Sequence, residues 1–351
     1  MEHPLSAVRA AGALVALCLW GCRTPAAPAP RDAATGALDA RWDAPTDAAP
    51  GEVPGDAPGD ARPSDGPSDT APATAGQRFR GQDVDALLRA MATRPAVAML
   101  SRHNLRRPVF QLDLGGGLQV AFKPDTYSRH GLWRNDVVAW ELARLLGLTE
   151  RVPPVTGRTF PLALLGPRDR DLRPEDGHRD QVYGSTIFWM PVLARTRLHG
   201  PRGRALWSAW LSQRNPLPTE PAAEEVSSLV VFDYLQANVD RWGVYNTRAD
   251  ELGHLCYRDN NETWNSAPLA NLGTNADLLR SVERFSRGLL ARLEAADEAA
   301  LREALRPWAE AGRPVLAEGR YAHYARRRAF VLAHVRALVA RHGEARVFPW
   351  P

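Results

Sequence analysis

Of the 44 lysine and arginine residues in this 351-residue chain, 43 are arginine and only Lys123 is lysine. A coding bias that favours Arg, Ala, Gly and Pro can replace lysine freely on a solvated surface. At a shaped site it cannot, because an ammonium is a compact point charge on a flexible stem and a guanidinium is a planar fork. Lys123 is therefore the first place to expect chemistry. Six residues before it ends the run Gly115-Gly116-Gly117. Glycines at a hairpin tip let backbone amides approach an anion closely, and a lysine on the adjoining strand reaches the same anion. Phosphate binding is the chemistry this pair suggests. On these residues alone, a plain hairpin with a surface lysine is the alternative. One acid nearby also lacks a local partner. Asp136 has Ala139 and Trp140 at i+3 and i+4, whereas Glu141 has Arg144 at i+3 and so a ready surface ion pair. Asp136 is free for a distant partner, unless it serves only as a first-turn acid that favours the helix dipole.

Periodicity supplies the elements that carry these residues. Residues 83–92 place Val84, Leu87, Leu88 and Met91 on one helical stripe. Residues 109–114 and 118–122 read as two short strands around the glycine run, a hairpin that leads into Phe122-Lys123-Pro124. Residues 135–146 read as a helix with Val138, Leu142, Leu145 and Leu146 on its apolar face and Gly147 as its C-cap.

Four phrases then follow in a distinctive order: Ala121-Phe122-Lys123-Pro124, Arg134-Asn135-Asp136, Leu145-Leu146-Gly147-Leu148 and Val152-Pro153-Pro154-Val155-Thr156-Gly157-Arg158. In order and spacing they resemble the secretory-pathway kinases related to four-jointed and the Golgi casein kinase. A second block, Val231-Phe232-Asp233-Tyr234-Leu235-Gln236-Ala237-Asn238-Val239-Asp240-Arg241-Trp242, resembles that family's catalytic segment, and Asp259-Asn260-Asn261 resembles its metal-binding aspartate. The resemblance covers roughly residues 105–340 and includes basic terminal helices around Arg326 and Arg341.

The resemblance implies an α+β, two-lobed protein-kinase-like fold. Its amino-terminal lobe, about residues 78–190, would be an antiparallel sheet with one helix, and its carboxy-terminal lobe, about 191–351, mainly helical. It also implies transfer of a phosphoryl group from ATP or a related nucleotide to a hydroxyl of a protein or glycan, with Mn²⁺ or Mg²⁺. Such a reaction asks for a phosphate cradle, a divalent metal and a carboxylate that orients the acceptor hydroxyl. On the family's pattern Lys123 holds the phosphates beside Gly115, Gly116 and Gly117, and Asp136 stands where the family has glutamate. Asp240 accepts the acceptor's proton, and Asp259 and Asn246 ligate the metal through oxygen, as hard cations prefer. Residues 184–191 fall where the strand and hinge beside the adenine belong. Three departures stand out. The helix acid is one methylene short, with Glu141 as the fallback. Asn246 follows Asp240 by six residues where many kinases use five, with Gly243 placed to absorb the extra one. The mature domain also lacks the disulfides of animal members. An exported pseudokinase acting as a binding module, and a kinase of sugars or small molecules, share these residues, and fold does not choose among acceptors.

Composition bounds the rest. With 44% hydrophobic and 24% charged residues the chain is ordinary globular material. Charge segregates along it: residues 1–22 are neutral, 23–77 carry −5 and 78–351 carry +9. No basic-aromatic RNA motif, zinc finger or recognition-helix pattern accompanies the basic part, so nucleic acid is not expected as a partner. Cys18, Cys22 and Cys256 permit no disulfide framework, and the nine histidines show no ligand spacing for zinc. Residues 1–22 read as an export signal ending in Leu19-Trp20-Gly21-Cys22, which resembles a bacterial lipobox. Lipidation of Cys22 would anchor the chain to a membrane of a bacterial envelope, with plain secretion as the alternative. Residues 23–77 hold ten of the 29 prolines and almost no large apolar side chain. Such a segment cannot bury enough surface to offset its ordering entropy, and reads as a disordered tether.

Overall fold

The computed structural model describes residues 76–351 apart from 104–107, 167–169, 243–245 and 265–268, and only the backbone of 269–274. The expected leader, nearly all of the linker, Cys18, Cys22 and Gly243 lie outside the described residues. No helix among the described residues is long and apolar enough to cross a membrane.

The chain enters through two short antiparallel strands, β1 (Arg78–Phe79) and β2 (Gln82–Asp83), and turns into helix α1 (Val84–Thr93). Asp83 caps that helix by accepting a hydrogen bond from the Ala86 amide at 2.7 Å, which satisfies one of its orphan donors. Val84, Leu87 and Met91 are buried and Leu88 packs beside them, the stripe that the periodicity predicted. Next come β3 (Ala98–His103), β4 (Val109–Asp113), β5 (Gln119–Pro124), α2 (Trp133–Leu146), β6 (Val155–Pro161), the one-turn α3 (Leu162–Leu165) and β7 (Gln181–Phe188). The five long strands form one sheet in the order β3-β4-β5-β7-β6, antiparallel throughout. In β5 the pleat sends Val120, Phe122 and Pro124 into the core and leaves Gln119, Ala121 and Lys123 on the opposite face. Phe122 meets Phe160 edge-on at 4.7 Å. The strand is thus anchored by its apolar side while Lys123 points the other way.

Helix α2 begins two residues earlier than the periodicity predicted, at Trp133, whose ring meets Tyr183 edge-on at 4.8 Å. It packs against β6 and β7 on one side and against later helices on the other, so Val137, Val138, Ala139, Trp140 and Leu142 are all fully buried. A helix buried on so many sides shows more than one apolar stripe. It ends at Gly147, which is left-handed at φ 68° and donates its N–H to the carbonyls of Ala143 and Arg144.

The remaining chain is mainly helical: β8 (Ala194–Arg195), α4 (Gly200–Leu211), α5 (Ala222–Gln236), β9 (Arg248–Ala249), β10 (Leu255–Cys256), α6 (Leu269–Arg280), α7 (Arg287–Ala295), α8 (Glu298–Glu310), α9 (Glu318–His342) and α10 (Glu344–Val347). The three short strands pair antiparallel in the order β10-β9-β8. Helix α5 is the axis of this part, with every residue from Val226 to Gln236 buried. The predicted basic terminal helix is α9, which packs on α5: the Phe330 ring meets Tyr234 at 5.5 Å and Arg327 Nε donates to the Leu235 carbonyl at 2.7 Å. Glu141 and Arg144 meet at 3.6 Å, as their spacing predicted, but not on the surface: the Glu141 side chain is only 12% exposed. Burial pushes its carboxyl up while Arg144 and Trp308 of α8 pull it back, so Glu141 is spent on helix packing.

Candidate active site

Strand β7 returns beside β5 so that Ser185 pairs with Lys123, and α2 brings Asp136 to the same face. The Lys123 Nζ donates to Asp136 Oδ1 at 3.1 Å and to Asp259 Oδ1 at 3.0 Å. Ser185 Oγ donates to the other Asp136 oxygen at 3.3 Å. The approach of β7 to β5 needs Gly184, because a Cβ there would run into the Lys123 carbonyl and the Pro124 Cα. Burial opposes the Lys123 charge, but the two carboxylates overcome it and hold the ammonium above its ordinary range. Burial pushes the Asp136 carboxyl up and Lys123 works against that push. Lys123 holds Asp259 down at about 2, against burial and with help from Arg258 and Arg241. Asp259 is thus a firmly ionised carboxylate. Its backbone is left-handed at φ 61°, a conformation that Asp tolerates better than most residues and that clusters at functional sites.

A second group lies past the end of α5. Ala237 closes that helix in a left-handed conformation, and the Asn238 Oδ1 then accepts from the Asp240 amide at 3.0 Å. Asp240 itself is exposed. Asn246 Nδ2 donates to Asp240 Oδ2 and to the Asp240 carbonyl, both at 2.9 Å. The extra residue in this loop therefore still lets Asn246 reach Asp240.

Arg241 ties the two groups together. It is 1% exposed. Its Nε bonds to Asp233 Oδ2 at 3.1 Å, its Nη2 to Asn260 Oδ1 at 2.6 Å, and its Nη1 to the carbonyl of Arg258. One guanidinium next to Asp240 thus grips the residues on both sides of Asp259. Burial pushes Asp233 up to about 6 despite this partner. Asn135 Nδ2 adds a link from α2 to the Asn261 carbonyl at 2.7 Å.

Above Lys123 and Asp259 lies a cleft of about 490 Å³, walled by Val109, Ala121, Ile187, Phe188, Trp189 and Met190. An apolar wall beside a few convergent charges suits a planar base attached to phosphates. Of residues 184–191, only 187–191 line this cleft, and Trp189 stacks on His103 at 5.4 Å.

The glycine tip is not part of this assembly. Gly115, Gly116 and Gly117 all have positive φ (74°, 61° and 79°) and do form the β4–β5 turn. However, Asp113 pairs with Gln119 while Phe110 pairs with Phe122, so the tip and Lys123 occupy opposite ends of β5, roughly 20 Å apart at about 3.3 Å per residue. Gly115 is taken up locally, with its amide donating to Asp113 Oδ1 at 2.8 Å and its carbonyl accepting from Arg94. The proximity in sequence that suggested a cradle is contradicted by the antiparallel pairing. At the Lys123 end of the sheet His103 pairs with Val109, and residues 104–107 between them lie outside the described residues.

The donor types present are those a hard divalent cation prefers. Asp259 offers an ionised carboxylate, and Asn246, whose nitrogen is spent on Asp240, has its amide oxygen left. Among the described residues no three His, Cys, Asp or Glu side chains cluster to hold a metal ion. A cation here would therefore draw remaining ligands from phosphate and water, as Mg²⁺-type sites do.

Sequence reasoning did not assign Ser185, Arg241, Asp233 or Asn260. For Asp233 the signal was present: an acid amid Leu229-Val230-Val231-Phe232 and Leu235 is a buried charge that demands a partner. Ser185 carried none, since its place beside Lys123 depends on β7 joining β5 across 62 residues of chain.

No family model and no curated protein matches the chain. Among solved structures, the Golgi casein kinase superposes with a TM-score of 0.55 at 17% identity, over 76% of this chain and 78% of that one. The Golgi casein kinase with Mn/ADP bound gives 0.54 at 16%, with the same coverage. The hydra Fam20 structure with sugar gives 0.55 at 18%, over 76% of this chain and 92% of that one. The chain accordingly has the two-lobed, α+β, kinase-like fold of these structures.

Proposed function

We propose that this chain is a metal-dependent kinase that moves the terminal phosphoryl group of ATP, or a related nucleotide, to a hydroxyl of a protein or glycan. The observation that carries the reading is the convergence of Lys123, Asp136 and Asp259 from β5, α2 and the loop after β10 beneath a cleft, on a fold shared with kinases. Lys123 would hold nucleotide phosphates, its ammonium positioned by Asp136, which Ser185 holds in turn. Asp259 and the Asn246 amide oxygen would hold Mn²⁺ or Mg²⁺, which would neutralise charge on the phosphates. One solved neighbour carries Mn/ADP, which supports that pairing. Asp240, exposed and held by Asn246, would orient the acceptor hydroxyl and take its proton as the new P–O bond forms and the bond to the leaving diphosphate breaks. Another neighbour is described with sugar, which keeps glycans beside proteins as acceptors. Export through residues 1–22 with a lipid on Cys22 belongs to the same proposal, and intact mass of the mature amino terminus tests it.

The test is nucleotide turnover by the full chain with Mn²⁺, beside Lys123→Met and Asp240→Ala. Turnover by the wild type and a loss of at least about a hundredfold in both variants is expected. Equal rates in all three would overturn the kinase reading. Metal-dependent nucleotide binding without turnover would make the chain a binding module.

A further inference from the structure

Lys123 has little charge to spare. Its ammonium is shared by two carboxylates at 3.0 and 3.1 Å, so its hydrogen bonds are already committed within the protein. A divalent metal on Asp259 would offset the charge of the carboxylates, but a further side-chain cation facing the cleft would grip the phosphates directly.

Arg258 is in the right place. It precedes Asp259 in the chain, lines the same cleft and is partly exposed. Among the described residues its guanidinium has no hydrogen-bond or ion-pair partner, in contrast to Lys123 and Arg241. Its backbone is fixed all the same, because its carbonyl accepts from the buried Arg241 and the preceding Tyr257 amide bonds to the Arg151 carbonyl at 2.8 Å. Arg258 lines the cleft together with Asp259 and Lys123, so its charge falls at the cleft's working end. A planar guanidinium presents two parallel N–H donors in a fixed fork that matches two oxygens of one phosphate, a geometry that an ammonium's point charge lacks.

We propose that Arg258 is a second phosphate anchor of this cleft: its guanidinium binds the polyphosphate of the nucleotide and supplies the positive charge that Lys123, shared between two carboxylates, does not. The proposal rests on the kinase reading above. The bland alternative is a solvated arginine in an arginine-rich chain, and it makes the opposite prediction.

Calorimetry on the full chain separates the two, using ADP, tripolyphosphate and adenosine as probes, each with Mn²⁺. Arg258→Ala should bind ADP and tripolyphosphate about ten- to a hundredfold more weakly than the wild type, the range expected for lost charge-assisted hydrogen bonds. Adenosine, which has no phosphate, should bind both proteins alike. Arg258→Lys, which keeps the charge without the fork, should fall between. Urea midpoints of both variants should stay close to that of the wild type, since the side chain has no hydrogen-bond or ion-pair partner to lose and acts on Asp259 only through its field. Equal binding of ADP by wild type and Arg258→Ala, or an equal loss for adenosine, overturns the assignment while leaving the kinase reading standing. If the wild type binds none of the three probes, the kinase reading itself fails and the assignment falls with it.

Discussion

Replacing Lys123 with methionine removes one charge while keeping a stem of similar length, so it isolates the electrostatics of the site from its packing. In the native protein Lys123 is the main reason that Asp259 sits at about 2 instead of 3.8, a difference corresponding to roughly 2.5 kcal/mol. The Asp259 side chain is 31% exposed, and solvent screening brings this to about 2 kcal/mol. Asp136, at 3% exposure, is left buried beside another carboxylate, and breaking a buried pair in this way costs about 3–5 kcal/mol. Both figures describe the same ammonium and overlap, so the expected loss at pH 7 is about 2–4 kcal/mol. The sign with pH follows from the depressed Asp259 value. Its stabilisation is present above the unfolded value near 4 and is lost as pH falls toward 2, whereas the variant never has it and gains by protonating a carboxylate. Urea unfolding should show the full gap at pH 7, and the gap should shrink steadily below about pH 4. Equal stability at pH 7, or a gap that does not narrow in acid, would refute the shared-ammonium geometry.

Three further outcomes follow from the same site. Lys123→Arg keeps the charge but not the shape, and should lower turnover at least about tenfold while leaving the unfolding free energy within about 1 kcal/mol of wild type. Arg241→Met strands the buried Asp233 and frees both neighbours of Asp259; a loss of about 3–5 kcal/mol in urea unfolding is expected, and a loss under about 1 would contradict the clamp. Asp233, raised to about 6 in the fold, contributes stability below pH 4 that disappears as pH rises through 6. Relative to Asp233→Asn, the wild type should therefore lose up to about 3 kcal/mol between pH 4 and 6.5, and a flat comparison over that range would count against the raised value.

Sequence and structure agree most closely where local rules dominate. The α1 stripe, the Gly147 cap and the β4–β5 hairpin depend on neighbours within a few residues, and all three form as local pattern predicts. Lys123 stood out because one lysine among 43 arginines is chemically distinct, and Asp136 because the helix offered it no partner. What the sequence hid is long-range. Lys123 meets Asp259 across 136 residues, and only the family-like phrases around Asp259 hinted at that. The glycine run misled for a similar reason, since nearness along the chain becomes opposite ends of a strand once the hairpin pairs. Arg258 and Arg241 were invisible in a chain where arginine is everywhere; their roles follow from which of them is buried among acceptors and which is left facing the cleft.

The most direct measurement of the central claim is calorimetry of ATP binding to the full chain, with and without Mn²⁺, beside Asp259→Ala. The account predicts binding that strengthens markedly with Mn²⁺ in the wild type and a loss of that metal dependence in the variant. Binding indifferent to Mn²⁺, or an Asp259→Ala protein that responds to Mn²⁺ as the wild type does, would contradict it.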